Sequence, residues 1–229
     1  KTFERTQIKK LIQRYNTQAP EKRVVKFIPA SGAASRMFKN LFAFMHEAEE
    51  SNNQKAILKQ QQYKDVQKFF KHIKKFPFYE KLKKALADEN HDLEALLNQE
   101  KYDFILRYLL TDKGLNYGEY PKALLPFHQY KTHSRLALEE HLVEGVYYAR
   151  DKNNNVYLHF TVSPEHLEAF KETLNELVPK YEKHFGVTFQ IDFSSQKEST
   201  DIIAVDMDNQ PVRDENNSLL FRPGGHGAL

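Results

Sequence analysis

Residues 156–193 constrain the fold most strongly. Val156, Leu158, Phe160 and Val162 alternate with more polar neighbours, the period of a strand with one buried face. Ser163 and Pro164 come next as an N-cap and a first-turn proline. Leu167, Phe170, Leu174, Leu177, Val178 and Tyr181 then recur at helical spacing until Gly186. Val187, Phe189, Ile191 and Phe193 alternate again, and Ile202 to Val205 adds a short apolar strand. Strand, helix and strand in one short segment predict parallel pairing around a helical crossover.

The same rhythm appears upstream. Val24 to Ile28 is short, β-branched and ended by Pro29, and Met37, Phe38, Leu41, Phe42 and Met45 predict a helix over Met37 to His46. The expected fold is therefore α/β with a mainly parallel sheet, and such sheets bind ligands at the carboxyl ends of their strands. The turns Pro29 to Arg36 and Pro223 to Gly227 both come after apolar strands, so both are expected at that edge. Residues 1–23 read as an N-terminal amphipathic helix, with Phe3, Ile8, Leu11 and Ile12 packing on the rest of the chain, and a linker. Residues 24–229 form the main domain. Within it a glutamine-rich polar stretch opens a helical insertion at about 51–115, in which Val66, Phe69, Phe70, Ile73 and Phe76, then Leu93, Leu96, Leu97, Ile105, Tyr108 and Leu109, form core stripes. Ser134 reads as the N-cap of a helix carrying Leu138, Leu142, Val146 and Ala149, and "DMDNQP" and "RDENNS" read as turns of a hairpin extension.

Composition excludes several classes of function. The chain has no cysteine, which removes disulfides, thiolate nucleophiles and cysteine zinc sites, and a reducing cytoplasm is the expected compartment. A formal charge of +3, with lysines interleaved among glutamates, supports no nucleic-acid stripe. No apolar stretch reaches membrane-spanning length, and no signal segment is visible. No H-E-x-x-H or G-x-S-x-G motif occurs. His128 and His133 lie in a polar loop and read as surface residues, "KHIKK" and "KLKK" as solvated helix faces, and Asp206 and Asp208 as turn residues.

The turn "FIPASGAASRM" raises the question of chemistry. Ala30, Ser31, Gly32, Ala33 and Ala34 admit a ligand close to the backbone, the next helix offers free N–H groups, and Arg36 adds a forked cation. The later glycines of G-x-G-x-x-G are missing, and no Gly-Lys-Ser/Thr succeeds the turn. Two readings stay open on these residues alone: a phosphate-binding turn, or a tight strand-to-helix connection with Arg36 in solvent.

Three motifs together carry a resemblance. "PASGAASRM" resembles the Ala-Gly-Gly-x-Gly-Thr-Arg-Met/Leu turn of sugar-nucleotide pyrophosphorylases. "PKALLPF", Pro121 to Phe127, resembles their Pro-Lys-x-Leu-Leu-Pro motif, and "RPGGHGAL", Arg222 to Leu229, resembles the Pro-Pro-Gly-His-Gly turn of the UTP-dependent branch. The whole chain also resembles a bacterial family known only as a domain of unknown function. The first resemblance implies a Rossmann-like, A-type glycosyltransferase-like sheet and a nucleotidyl transfer from an NTP, UTP by preference, to a sugar-1-phosphate with Mg²⁺. It implies that Ser31, Gly32, Ala33, Ala34, Ser35 and Arg36 surround the triphosphate, with Arg36 on the phosphates, and that Lys122 neutralises charge during transfer. Gly224, Gly225 and His226 would lie against the base, and Gln196 would help read it. Where the family has glycines this chain has Ser31 and Ala34, and a positive φ at either would cost about 1 kcal/mol. The family's metal-binding aspartate comes after the Gly-His-Gly turn, so the expectation is either that the domain continues past Leu229 or that it lacks this ligand, and the metal ligand is not identified. The alternative is a binding or regulatory module that keeps the nucleotide pocket without the chemistry. No nucleic acid or membrane partner is expected.

Overall fold

The computed structural model describes residues 2–32, 34, 37–51, 53–195, 197, 199 and 201–222, the last by its backbone alone. In chain order its elements are α1 (Arg5–Gln18), β1 (Val25–Pro29), α2 (Lys39–Glu49), α3 (Gln54–Leu58), α4 (Lys64–His72), α5 (Tyr79–Ala87), α6 (Leu93–Asn98) and α7 (Tyr102–Leu110). Then come β2 (Pro126–Gln129), β3 (Ser134–Leu136), α8 (Ala137–Tyr148), β4 (Asn155–Val162), α9 (Leu167–Phe185), β5 (Thr188–Ser195), β6 (Ile202–Ile203) and β7 (Phe221–Arg222). They divide into two compact units, one of Lys1–Gly32 with Glu139–Leu229 and one of Ala33–Leu138.

In the first unit β1, β4 and β5 form a parallel sheet in the order β1, β4, β5. Ile28 stands opposite Phe160, and Phe160 opposite Phe193. This is the Rossmann-like α/β arrangement that alternating strand and helix periods predict. Val156, Leu158, Phe160 and Val162 all point into the core. Both helices lie on their face of the sheet. A Cβ added at Gly145 of α8 would stand 2.8 Å from Leu158 and 3.0 Å from Val156, and Phe170 of α9 lies 6.2 Å from Phe160. Gly186 ends α9 in the left-handed region, with φ 64°. On the opposite face Phe27 stacks on His159 at 5.1 Å, and Arg23 lies 4.7 Å from the Tyr157 ring centre.

Lys26 shares the helix-covered face with Ile28, and its side chain is only 9% exposed. A lysine there needs partners. Its ammonium pairs with Glu144, approaches His141 Nδ1 at 3.1 Å and lies 5.3 Å from the Tyr148 ring centre. The hydrogen bond from Lys26 holds the Glu144 carboxyl below its ordinary 4.5. Burial, and then the Lys26 charge, hold His141 below its ordinary 6.5, against the carboxylates of Glu144 and Glu140. Both groups therefore bind protons more weakly when folded than when unfolded. Their contribution to stability is full above about pH 6.5 and falls with pH, through His141 first and through Glu144 below about pH 4.5. Melting temperatures measured from pH 7 to 4 are expected to decline on that course, and Lys26→Met is expected to flatten the limb below about pH 4.5. Parallel curves for the two proteins would contradict this account of the pair.

The second unit is helical apart from the β2–β3 hairpin. Phe44, wholly buried in α2, meets the rings of Tyr63, Phe70 and Tyr102 at 5.3, 6.2 and 6.4 Å. Leu82, Leu86, Leu93, Ile105, Leu106 and Leu109 are also fully buried, so the aromatic and leucine stripes are core as their spacing predicts. Three buried tyrosines give their hydroxyls to carboxylates at the margin: Tyr63 donates to Glu47 at 2.7 Å, and Tyr79 and Tyr108 donate to Glu94 and Glu89.

Four expectations need correction. Ser134 does not cap α8: it lies in β3, paired with Gln129 of β2, and the helix starts at Ala137. The helix after the first turn starts at Lys39 rather than Met37, which is exposed. The apolar side of α1 is not packed: Phe3, Ile8, Leu11, Ile12 and Tyr15 are all exposed, and Tyr15 bonds only its hydroxyl, to the Tyr148 carbonyl. The strand before Arg222 does not join the parallel sheet, because β7 pairs antiparallel with β6.

Candidate functional site

The carboxyl edge of the parallel sheet is built by the ends of β1 and β4. Ala30 N–H donates to the Thr161 carbonyl at 2.7 Å, which carries the β1–β4 ladder one step past Pro29. Ser163 Oγ donates to the Ser31 carbonyl at 3.2 Å. Ser31 and Gly32, both half-buried, thus leave β1 under control of β4. Ser31 has no positive φ, so a serine in place of a glycine carries no left-handed strain there. Beside this turn Thr161, 3% exposed, shares a hydrogen bond with Ser194 at 3.2 Å, and Ser194 meets His159 Nε2 at 2.9 Å. The edge therefore carries hydroxyls and an imidazole, groups able to donate or accept.

In the second unit Ala34 is wholly buried. Its N–H donates to the Tyr120 carbonyl at 3.1 Å, and its carbonyl accepts from Met37 and Phe38 at 2.8 and 3.2 Å. Ala34 is thus a small residue in the core of the second unit, with its N–H already engaged. Its partner Tyr120 immediately precedes "PKALLPF". In that motif Pro121, Ala123, Leu124 and Leu125 are buried and Lys122 is exposed, on a single 3-10 turn spanning Lys122–Leu124. One backbone hydrogen bond therefore joins two motifs that are far apart in sequence.

Ala33, Ser35, Arg36, Gln196, Gly224, Gly225 and His226 lie outside the described residues. Among the described residues no group of three or more His, Asp or Glu side chains converges on a point that would hold a metal. Asp206 Oδ1 accepts from the amides of Asp208 and Gln210 at 2.9 Å each, so "DMD" is a turn, as its residue types predict. No described helix is long and apolar enough to cross a membrane.

One family profile, described as "Domain of unknown function (DUF4301)", matches residues 1–229. The chain belongs to the DUF4301 family. The expected likeness to a domain-of-unknown-function family is thereby met, while no match to sugar-nucleotide pyrophosphorylases accompanies it. No curated protein and no solved structure matches this DUF4301 chain.

Sequence reasoning missed His159, Thr161, Ser163 and Ser194. A signal for them is present in the sequence: polar residues in the second half of, or just past, two strands predicted to join a parallel sheet, whose carboxyl edge is where ligands bind. Ser163 was noticed only as a cap, because serine before proline at a helix start fits that role equally well.

Proposed function

We propose that this DUF4301 chain is a nucleotidyltransferase-like domain that transfers a uridylyl, or other nucleotidyl, group from an NTP to a sugar-1-phosphate. The reading draws on the three motifs resembling sugar-nucleotide pyrophosphorylases. The observation that supports it is the 3.1 Å hydrogen bond from the Ala34 N–H to the Tyr120 carbonyl, within the second unit, which joins one residue of "PASGAASRM" to the residue that precedes "PKALLPF". A sequence coincidence would not require the two to meet.

In this reading an oxygen of the sugar-1-phosphate attacks the α-phosphorus. The new P–O bond forms as the bond from the α-phosphorus to its β-bridging oxygen breaks, and pyrophosphate leaves with the electron pair. Such a displacement needs reactants held in line and charge neutralised, not an activated side-chain nucleophile. The resemblance would give Ser31 and Gly32 to the phosphates, and would give Arg36 and Lys122 the role of balancing charge. Mg²⁺, which ordinarily accompanies nucleoside triphosphates, would shield that charge further. No described residue is assigned as its ligand, and no step is routed through it.

Titration with UTP, CTP, ATP and GTP in the presence of Mg²⁺ tests the reading. Saturable binding, strongest for UTP, is expected; a chain that binds none of the four would overturn it. The substitution of family glycines by Ser31 and Ala34 favours one second reading, a regulatory module, which predicts triphosphate binding without pyrophosphate release.

A further inference from the structure

We infer that Ser163 is a positioning residue of this site: its hydroxyl sets the Ser31–Gly32 peptide so that the Gly32 N–H faces a phosphate oxygen of the bound triphosphate. The inference rests on the nucleotidyl-transfer reading.

Ser163 stands at the N-cap of the 3-10 helix Pro164–His166, with φ −73° and ψ 144°, yet its side chain makes no capping hydrogen bond. A serine so placed ordinarily turns its hydroxyl onto a free amide of the first turn. Here the hydroxyl reaches instead to the Ser31 carbonyl at 3.2 Å. Giving up a local bond for a distant one marks a position where another demand outweighs helix capping. The demand is legible in peptide geometry. The peptide bonds are trans, and in a trans peptide the carbonyl and the next residue's N–H point to opposite sides. A Ser31 carbonyl held toward Ser163 therefore turns the Gly32 N–H away from β4.

The Pro29–Ala30 peptide, two peptides earlier, is held as well, since Ala30 N–H donates to the Thr161 carbonyl at 2.7 Å. The turn is thus fixed at two points by the end of β4 and the residue after it. Among the described residues the Gly32 N–H has no partner. The amide of this half-buried glycine, oriented in advance and without a partner among the described residues, suits an oxyanion because no reorganisation is needed when the anion arrives. Ser163 itself touches no ligand in this account.

Equilibrium titration of UTP with excess Mg²⁺ into the wild type, Ser163→Ala and Ser163→Thr tests the assignment. The dissociation constant is expected to rise about tenfold in Ser163→Ala, the scale of one lost hydrogen bond, and to return to within about twofold of wild type in Ser163→Thr, which restores the hydroxyl. Equal constants for all three proteins would overturn the role of Ser163 while leaving the nucleotidyl-transfer reading in place. Weakening that threonine does not repair would also overturn it, because shape rather than the hydroxyl would then be responsible. A wild type that binds none of UTP, CTP, ATP and GTP would overturn the reading, and this inference with it; where another of the four binds in place of UTP, the same three proteins are compared with that triphosphate.

Discussion

Lys122→Ala is expected to lower pyrophosphate release about a hundredfold, the scale seen when one preorganised donor to transition-state charge is removed. The fold should be indifferent. Lys122 is exposed on its 3-10 turn while its neighbours Pro121, Ala123, Leu124 and Leu125 carry the packing. The melting temperature should therefore stay within about 2 °C of wild type, as for surface positions generally. Lys122→Arg keeps the charge but exchanges a compact ammonium for a planar fork, so partial activity is expected. Steady-state turnover that survives Lys122→Ala unchanged would remove the lysine from the mechanism.

Phe44→Ala is expected to have the largest effect on stability, about 3–5 kcal/mol. Phe44 is completely buried and sits among the rings of Tyr63, Phe70 and Tyr102, so truncation removes contacts on several sides and leaves a cavity that these rigid neighbours fill poorly. The chain has no tryptophan, and circular dichroism during urea unfolding is the suitable measurement. A loss below about 1 kcal/mol would mean that the core collapses around the missing ring.

The parts of the fold that were legible in sequence are those where burial imposes a period. Val156 to Val162 and Val187 to Phe193 alternate because one face of each strand meets helices, and the stripe from Leu167 to Tyr181 recurs because one side of α9 meets the sheet. Gly186 stops that helix where a left-handed residue is needed, with φ 64°. Short elements left too little period to read. β3 has three residues, all half-buried, and β7 has two. Their pairing depends on partner strands rather than on their own pattern, so Ser134 looked like a helix cap and Phe221 like the end of a sheet strand.

The candidate site shows a different limit. A small residue that admits a ligand and one that fits into a core are the same letter, and the burial of Ala34 and its bond to Tyr120 are what sequence could not show. Serine is ambiguous in the same way. At Ser163 the types suited to capping a helix and to gripping a distant carbonyl coincide, and only coordinates separate them. What sequence did supply was the order of the motifs, and the meeting of Ala34 with Tyr120 turns two of them into neighbours.

The most direct test of the central claim is pyrophosphate release from UTP and Mg²⁺, measured with and without each of a panel of sugar-1-phosphates. The account predicts release that depends on one of these sugars, with a UDP-sugar formed in equal amount. Absence of sugar-dependent release across the panel, from UTP or any other nucleoside triphosphate, would contradict it.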